Sequence, residues 1–155
     1  MNLALVHEQS PLTETFARLR ETIAPRKARP ELIEVAAIEE SWRYAVEVRL
    51  AQLSAYPTGW DGYNSAPPQH SIIAFARSIL DSVMSAETPP PSIVPMSGGG
   101  LQLEWHIGGF DIELAIFAPF EAELSVEYPD EREPLEDERL TSSFDDLSEV
   151  LQELA

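Results

Sequence analysis

Between Leu101 and Tyr128 apolar and polar residues alternate with a period of two, and no other stretch of the chain restricts its fold so tightly. Leu101, Leu103, Trp105 and Ile107 fall on one side of an extended strand, and Gln102, Glu104 and His106 fall on the other. Gly108-Gly109 supplies the two-residue loop of a hairpin. Phe110, Ile112, Leu114 and Ile116 carry the apolar side onto the next strand, opposed by Asp111 and Glu113. After Ala118-Pro119-Phe120, a third strand sets Ala122, Leu124, Val126 and Tyr128 inward and Glu121, Glu123 and Glu127 outward. Such a sheet has one dry face, and that face needs a cover.

Helical periodicity upstream supplies it. Val35, Ile38, Trp42, Val46, Leu50 and Leu53 form one apolar stripe on a helix expected from Pro30 to about Ala55, ended by Tyr56-Pro57-Thr58-Gly59. A second helix, from about Gln69 to Ser85, follows Pro67-Pro68 and buries Ile72, Ile73, Phe75, Ala76, Ile79, Leu80 and Val83. Ser92 to Met96 reads as an edge strand because it contains Pro95, and Ser97-Gly98-Gly99-Gly100 reads as a turn. Pro129 to Leu140 is acid-rich and reads as irregular. A short closing helix is expected with Ser143 as N-cap and with Phe144, Leu147, Val150, Leu151 and Leu154 as its apolar stripe. Residues 1–29 read as a peripheral helix followed by the basic linker Pro25 to Pro30, and residues 30–155 as one domain. The expected fold is α+β: an antiparallel meander of three to four strands covered on one face by two main helices, with peripheral helices at both ends.

Hairpin geometry assigns the outer face residue by residue. A Gly108-Gly109 loop pairs Ile107 with Phe110, hence His106 with Asp111 and Glu104 with Glu113; a loop centred on Pro119 pairs Ala115 with Glu123 and Asp111 with Glu127. Two of these pairs oppose like charges, each at a cost of about 0.2–1 kcal/mol. No Lys or Arg occurs between Arg77 and Arg132 to offset them locally.

Overall charge points the same way. Of the net −17, residues 51–155 contribute −16, from 3 Lys+Arg against 19 Asp+Glu. A surface of that sign repels DNA, RNA and anionic lipid and attracts cationic proteins or cations. The absence of cysteine excludes disulfides, thiol catalysis and Cys-based zinc sites. The N-terminus lacks the pattern of a secretory signal and no segment is long enough to span a bilayer, so a cytoplasmic protein is the default expectation. Nucleophile-elbow, zinc-protease and dinucleotide motifs are missing, and the residues imply no cofactor and no metal.

One loop stands apart: Tyr56-Pro57-Thr58-Gly59-Trp60-Asp61-Gly62-Tyr63-Asn64, ahead of Pro67-Pro68. Gly59 and Gly62 allow positive φ around Trp60, and Asp61 can accept hydrogen bonds from nearby backbone amides. Anchoring of the helix–sheet junction competes with a ligand site in which Trp60 and Tyr63 stack on a flat group. With a proline pair soon after and the later Leu103-Glu104-Trp105 strand, the chain resembles a loose group of small bacterial proteins that share a Gly-Trp-Asp-Gly loop between two helices. The resemblance covers roughly residues 50–128 and implies no activity.

The functional expectation is a non-enzymatic acidic protein in which Glu104, Asp111, Glu113, Glu121, Glu123 and Glu127 mask a basic protein surface. It would act as an antitoxin, an immunity protein or a nucleic-acid mimic does, with a toxin, a nuclease or a nucleic-acid-binding complex as partner. Neither nucleic acid nor membrane is expected to bind it directly. Two alternatives stand beside this reading: a small metal-dependent hydrolase using His106, Asp111 and Glu104, and a scaffold subunit that self-associates through a sheet edge.

Overall fold

The computed structural model describes the backbone of residues 30–155 and the side chains of residues 42–155, so the helix and linker expected over residues 1–29 lie outside the described residues. Helix α1 spans Pro30–Ser54. Trp42, Val46, Leu50 and Leu53 are its buried stripe, as their spacing predicts; Val35 and Ile38 fall outside the described side chains. Helix α2 spans His70–Val83 and buries Ile72, Ile73, Ala76, Ile79, Leu80 and Val83. Arg77 of α2 donates to Glu47 of α1 through Nη2 at 2.9 Å, and Arg43 of α1 pairs with Asp81 of α2.

Five strands follow: β1 Ser92–Pro95, β2 Leu101–Ile107, β3 Phe110–Ala118, β4 Glu121–Glu127 and β5 Leu135–Leu140. They form one antiparallel sheet in the order β1-β2-β3-β4-β5, a plain meander. Helix α3, Asp145–Gln152, closes the chain. The α+β class and the meander agree with the sequence reading, whereas the expected three to four strands become five. The stretch from Pro129 to Leu140 hides a strand because only Leu135 and Leu140 turn toward the core, and the four polar residues between them are exposed. No alternation is left to read.

A second correction concerns α3. Its N-cap position is Phe144, one residue after the expected Ser143. Ser143 still serves the helix start, because its Oγ accepts a bond from the Asp145 amide at 3.4 Å.

The inner face of the sheet (Leu101, Leu103, Trp105, Ile112, Leu114, Ile116, Leu124 and Val126) merges with the buried stripes of α1, α2 and α3 into one hydrophobic core. Fully burying each Leu or Ile stabilises the fold by about 1.5–3 kcal/mol relative to leaving it exposed, so this face dominates stability. Trp105 keeps its indole N–H bonded to the Pro89 carbonyl at 2.9 Å, which removes the cost of burying a polar group. Arg49 of α1 reaches the Ile93 carbonyl on β1 at 2.9 Å and ties the helix to the first edge of the sheet. Gly108 and Gly109 both have positive φ, 62° and 86°, as a tight hairpin requires, and this turn fixes the β2–β3 register.

Candidate functional site

The outer face of the sheet is built by the same alternation that fills the core. Ile107 pairs with Phe110, His106 with Asp111 and Glu104 with Glu113, while Asp111 pairs with Glu127 and Ala115 with Glu123. Every one of these pairings is the one the loops dictate. Glu104, Asp111, Glu113, Glu123 and Glu127 therefore lie across three neighbouring strands on one side. Glu121 opens β4 next to an irregularity between Ile116 and Ala118, at the far end of the same face.

Cations are scarce there. Among the described side chains Arg43, Arg49 and Arg77 serve α1, α2 and β1. Arg132 is held at the end of the sheet between Asp130 and Glu153, at 2.9 and 2.8 Å, with its guanidinium 4.1 Å from the Tyr128 ring centre. This double pairing pushes its pKa further up and holds the Glu153 and Asp130 carboxyls below their usual range. Only Arg139, brought in by β5 opposite Glu123, reaches the acidic face; its Nε stands 3.6 Å from the carboxylate on a largely exposed side chain. An exposed pair of that length contributes little.

His106 is the remaining source of positive charge. Its Nδ1 lies 2.8 Å from Asp111 Oδ1 and its Nε2 lies 3.4 Å from Glu104 Oε2, with half of the side chain exposed. The bond to Glu104, reinforced by the charges of Asp111 and Glu104, raises the imidazole pKa above 6.5. Asp111 Oδ1 is shielded from solvent and faces the ring at that short distance. Glu104, His106 and Glu113 bring their donor atoms within 4.8 Å of one another, a mixed oxygen and nitrogen set of the kind a divalent cation accepts. Sequence reasoning joined His106 to Asp111 and Glu104 and overlooked Glu113 as a donor; the signal was the Glu104–Glu113 pair itself.

A cleft of about 200 Å³ opens on the same face toward β5. Its sides are Asp111, Glu113 and Glu127 on one hand and the Pro134–Glu136 segment on the other. A bulge creates it: Leu124 faces Glu138 and Val126 faces Leu135, so Ser125 stands against both Glu136 and Asp137. Asp137 takes a positive φ of 49° and shares two bonds with the Ser125 hydroxyl, one from its amide at 3.3 Å and one to its Oδ1 at 3.4 Å. Bulges of this kind redirect side chains, and here Glu136 comes to line the cleft. The cleft was invisible in the sequence because β5 was.

The Gly-Trp-Asp-Gly loop is separate from this face. Trp60 donates its indole N–H to the Ala66 carbonyl at 3.0 Å and packs near Tyr56, with ring centres 5.6 Å apart. Asp61 accepts bonds from the Tyr63 amide at 2.9 Å, the Ser65 amide at 3.3 Å and the Ser65 hydroxyl, which together lower its pKa, the hydroxyl most. Gly59 and Gly62 have φ of 78° and 83°. Tyr63 is 90% exposed and does not stack on Trp60. The loop is fastened through Trp60 and Asp61, while Tyr63 projects into solvent.

Compared with protein-family models, curated proteins and solved structures, the chain finds no match. Among the described residues, no helix is long and apolar enough to cross a membrane.

Proposed function

We propose that the protein is a non-enzymatic binding module whose outer sheet face, through Glu104, Asp111, Glu113, Glu121, Glu123 and Glu127, covers a basic surface on another protein. The observation that carries this reading is the pairing of Glu104 with Glu113 and of Asp111 with Glu127, two like-charge oppositions on one face that only Arg139 among the chain's described arginines approaches. Each opposition costs about 0.2–1 kcal/mol in the free protein. A cationic partner removes that cost on binding, and its Lys or Arg side chains gain charge-assisted bonds. Toxins, nucleases and nucleic-acid-binding complexes present surfaces of the required sign.

An arginine-rich probe peptide tests the reading. Its complex with the protein is expected to weaken steeply as NaCl rises, because surface charges are screened within about 8 Å at physiological ionic strength. Reversal of Glu113 and Glu123 to Lys should abolish it. Binding indifferent to both salt and reversal would overturn the assignment.

The Glu104–His106–Glu113 donor set favours a second reading, a metal-dependent hydrolase. On that reading Mn²⁺ or Zn²⁺ raises the melting temperature and His106→Ala removes the effect. An unchanged melting curve in the presence of either ion would discard it.

A further inference from the structure

We infer that the turn between β3 and β4 is the apolar anchor of the binding surface, where Phe120 receives a large apolar side chain from a partner segment in which Lys or Arg flanks that residue. This rests on the binding role proposed above and names the kind of segment that role would engage. Phe117 and Phe120 are the phenylalanines most open to water among the described residues, 41% and 64% exposed. Each is presented by a departure from regular structure. The β3–β4 register shifts between Ile116 and Ala118, so Phe117 has no partner on β4. Pro119 then fixes a negative φ and Phe120 takes a φ of 64°, at a turn position that ordinarily needs Gly or Asn. Positive φ is uncommon in any residue with a Cβ and rarer in a bulky one, and glycine would close the same hairpin without strain. The Phe120 ring rests on Phe75 of α2, with centres 5.1 Å apart, and Phe75 meets Phe144 at 5.9 Å. An aromatic stack thus backs the ring while most of it stays open to solvent.

A hollow of about 260 Å³ lies at the same end of the sheet, bordered by Phe120, Glu121, Glu123, Arg139 and Thr141. A backed aromatic beside a concavity, with polar groups around it, is the arrangement found at the energetic centre of protein interfaces. Charge selects the occupant. Glu121 and Glu123 follow the ring along β4, and Arg139 approaches Glu123 only at 3.6 Å, so cations flanking an incoming apolar residue find carboxylates to pair with. A purely apolar segment would leave those carboxylates without partners. A second copy of the chain is the poorer occupant, because it brings the same acids and a net charge of −17 to the contact.

The test uses the full chain and two labelled peptides of equal charge: tryptophan flanked on both sides by arginine and lysine, and the same sequence with alanine in place of tryptophan. Fluorescence anisotropy is read at physiological and at high NaCl. The wild-type chain is expected to bind the tryptophan peptide roughly tenfold more tightly, and the ratio should persist as salt weakens both complexes. Phe120→Asn and Phe120→Gly both accept positive φ and so keep the turn. Each should bring the ratio close to one while leaving the affinity for the alanine peptide unchanged. Equal affinities of the two peptides for the wild type, or a ratio that survives both substitutions, would overturn the anchor and leave the acidic interface standing. Dimerisation of the wild type that Phe120→Asn removes would assign the turn to a second copy and overturn it as well. Failure of either peptide to bind the wild-type chain would instead remove the reading on which the anchor rests.

Discussion

On β3, Ile112, Leu114 and Ile116 are fully shielded, and Asp111 and Glu113, which alternate with them, face outward into a field of like charge. The two faces share a backbone, a register and a set of turns, yet they are built on opposite rules. Inside, every cross-strand neighbour improves its partner's burial. Outside, Glu104 opposes Glu113 and Asp111 opposes Glu127, and each pair lowers stability. A face shaped only for solubility would intersperse both signs. The contrast implies that the inner face sets the stability of the domain, whereas the outer face gives up some stability, as the proposed binding role requires.

Substitutions that separate the two faces differ in sign and size. Leu114→Ala empties a fully buried site and should cost about 2–5 kcal/mol, read as a shift of the urea midpoint; a loss below 1 kcal/mol would show that the inner face does not govern stability. Gly100→Ala probes the close approach of two strands, since an added Cβ would stand 2.6 Å from the Ile116 carbonyl oxygen and the backbone would have to move. A loss of about 1–3 kcal/mol is expected, and a neutral result would show that β2 and β3 can part without penalty. Glu113→Gln on the outer face should act in the other direction, raising stability by about 0.2–1 kcal/mol as one like-charge opposition disappears. A clear destabilisation there would mean that the carboxylate is structurally satisfied.

The smallest expected effect concerns His106. Its folded-state pKa is raised above 6.5 by Glu104 and then by Asp111, so its contribution to stability is fully present below pH 6.5 and is lost as pH rises through the higher folded value. Melting temperatures of the wild type and His106→Ala, compared across that window, should converge toward alkaline pH. A constant difference would show that the imidazole is not charged by its neighbours.

The outer face was legible in the sequence to a good extent because its register depends on local chemistry. Gly108-Gly109 and Pro119 set the two hairpins, and a slip by one residue would have turned Leu114 to water. The fastening of the Asp61 loop was legible for the same reason, since its bonds join residues no more than four apart. The fifth strand and the cleft were not. Leu135 and Leu140 are too far apart to show a period, and the bulge that presents Glu136 depends on the pairing of β4 with β5. Arg139 could be assigned to Glu123 only once that strand existed.

Net charge alone draws a −17 protein to any polycation, so the decisive comparison holds net charge constant. Glu113 and Glu123 on the outer face, or Glu131 and Glu149 away from it, are reversed to Lys, and the affinity of each variant for the same arginine-rich peptide is measured at physiological salt. The account predicts that the first variant loses binding while the second keeps most of the wild-type affinity. Equal losses in the two variants would contradict it, because the attraction would then belong to the whole molecule and not to the sheet.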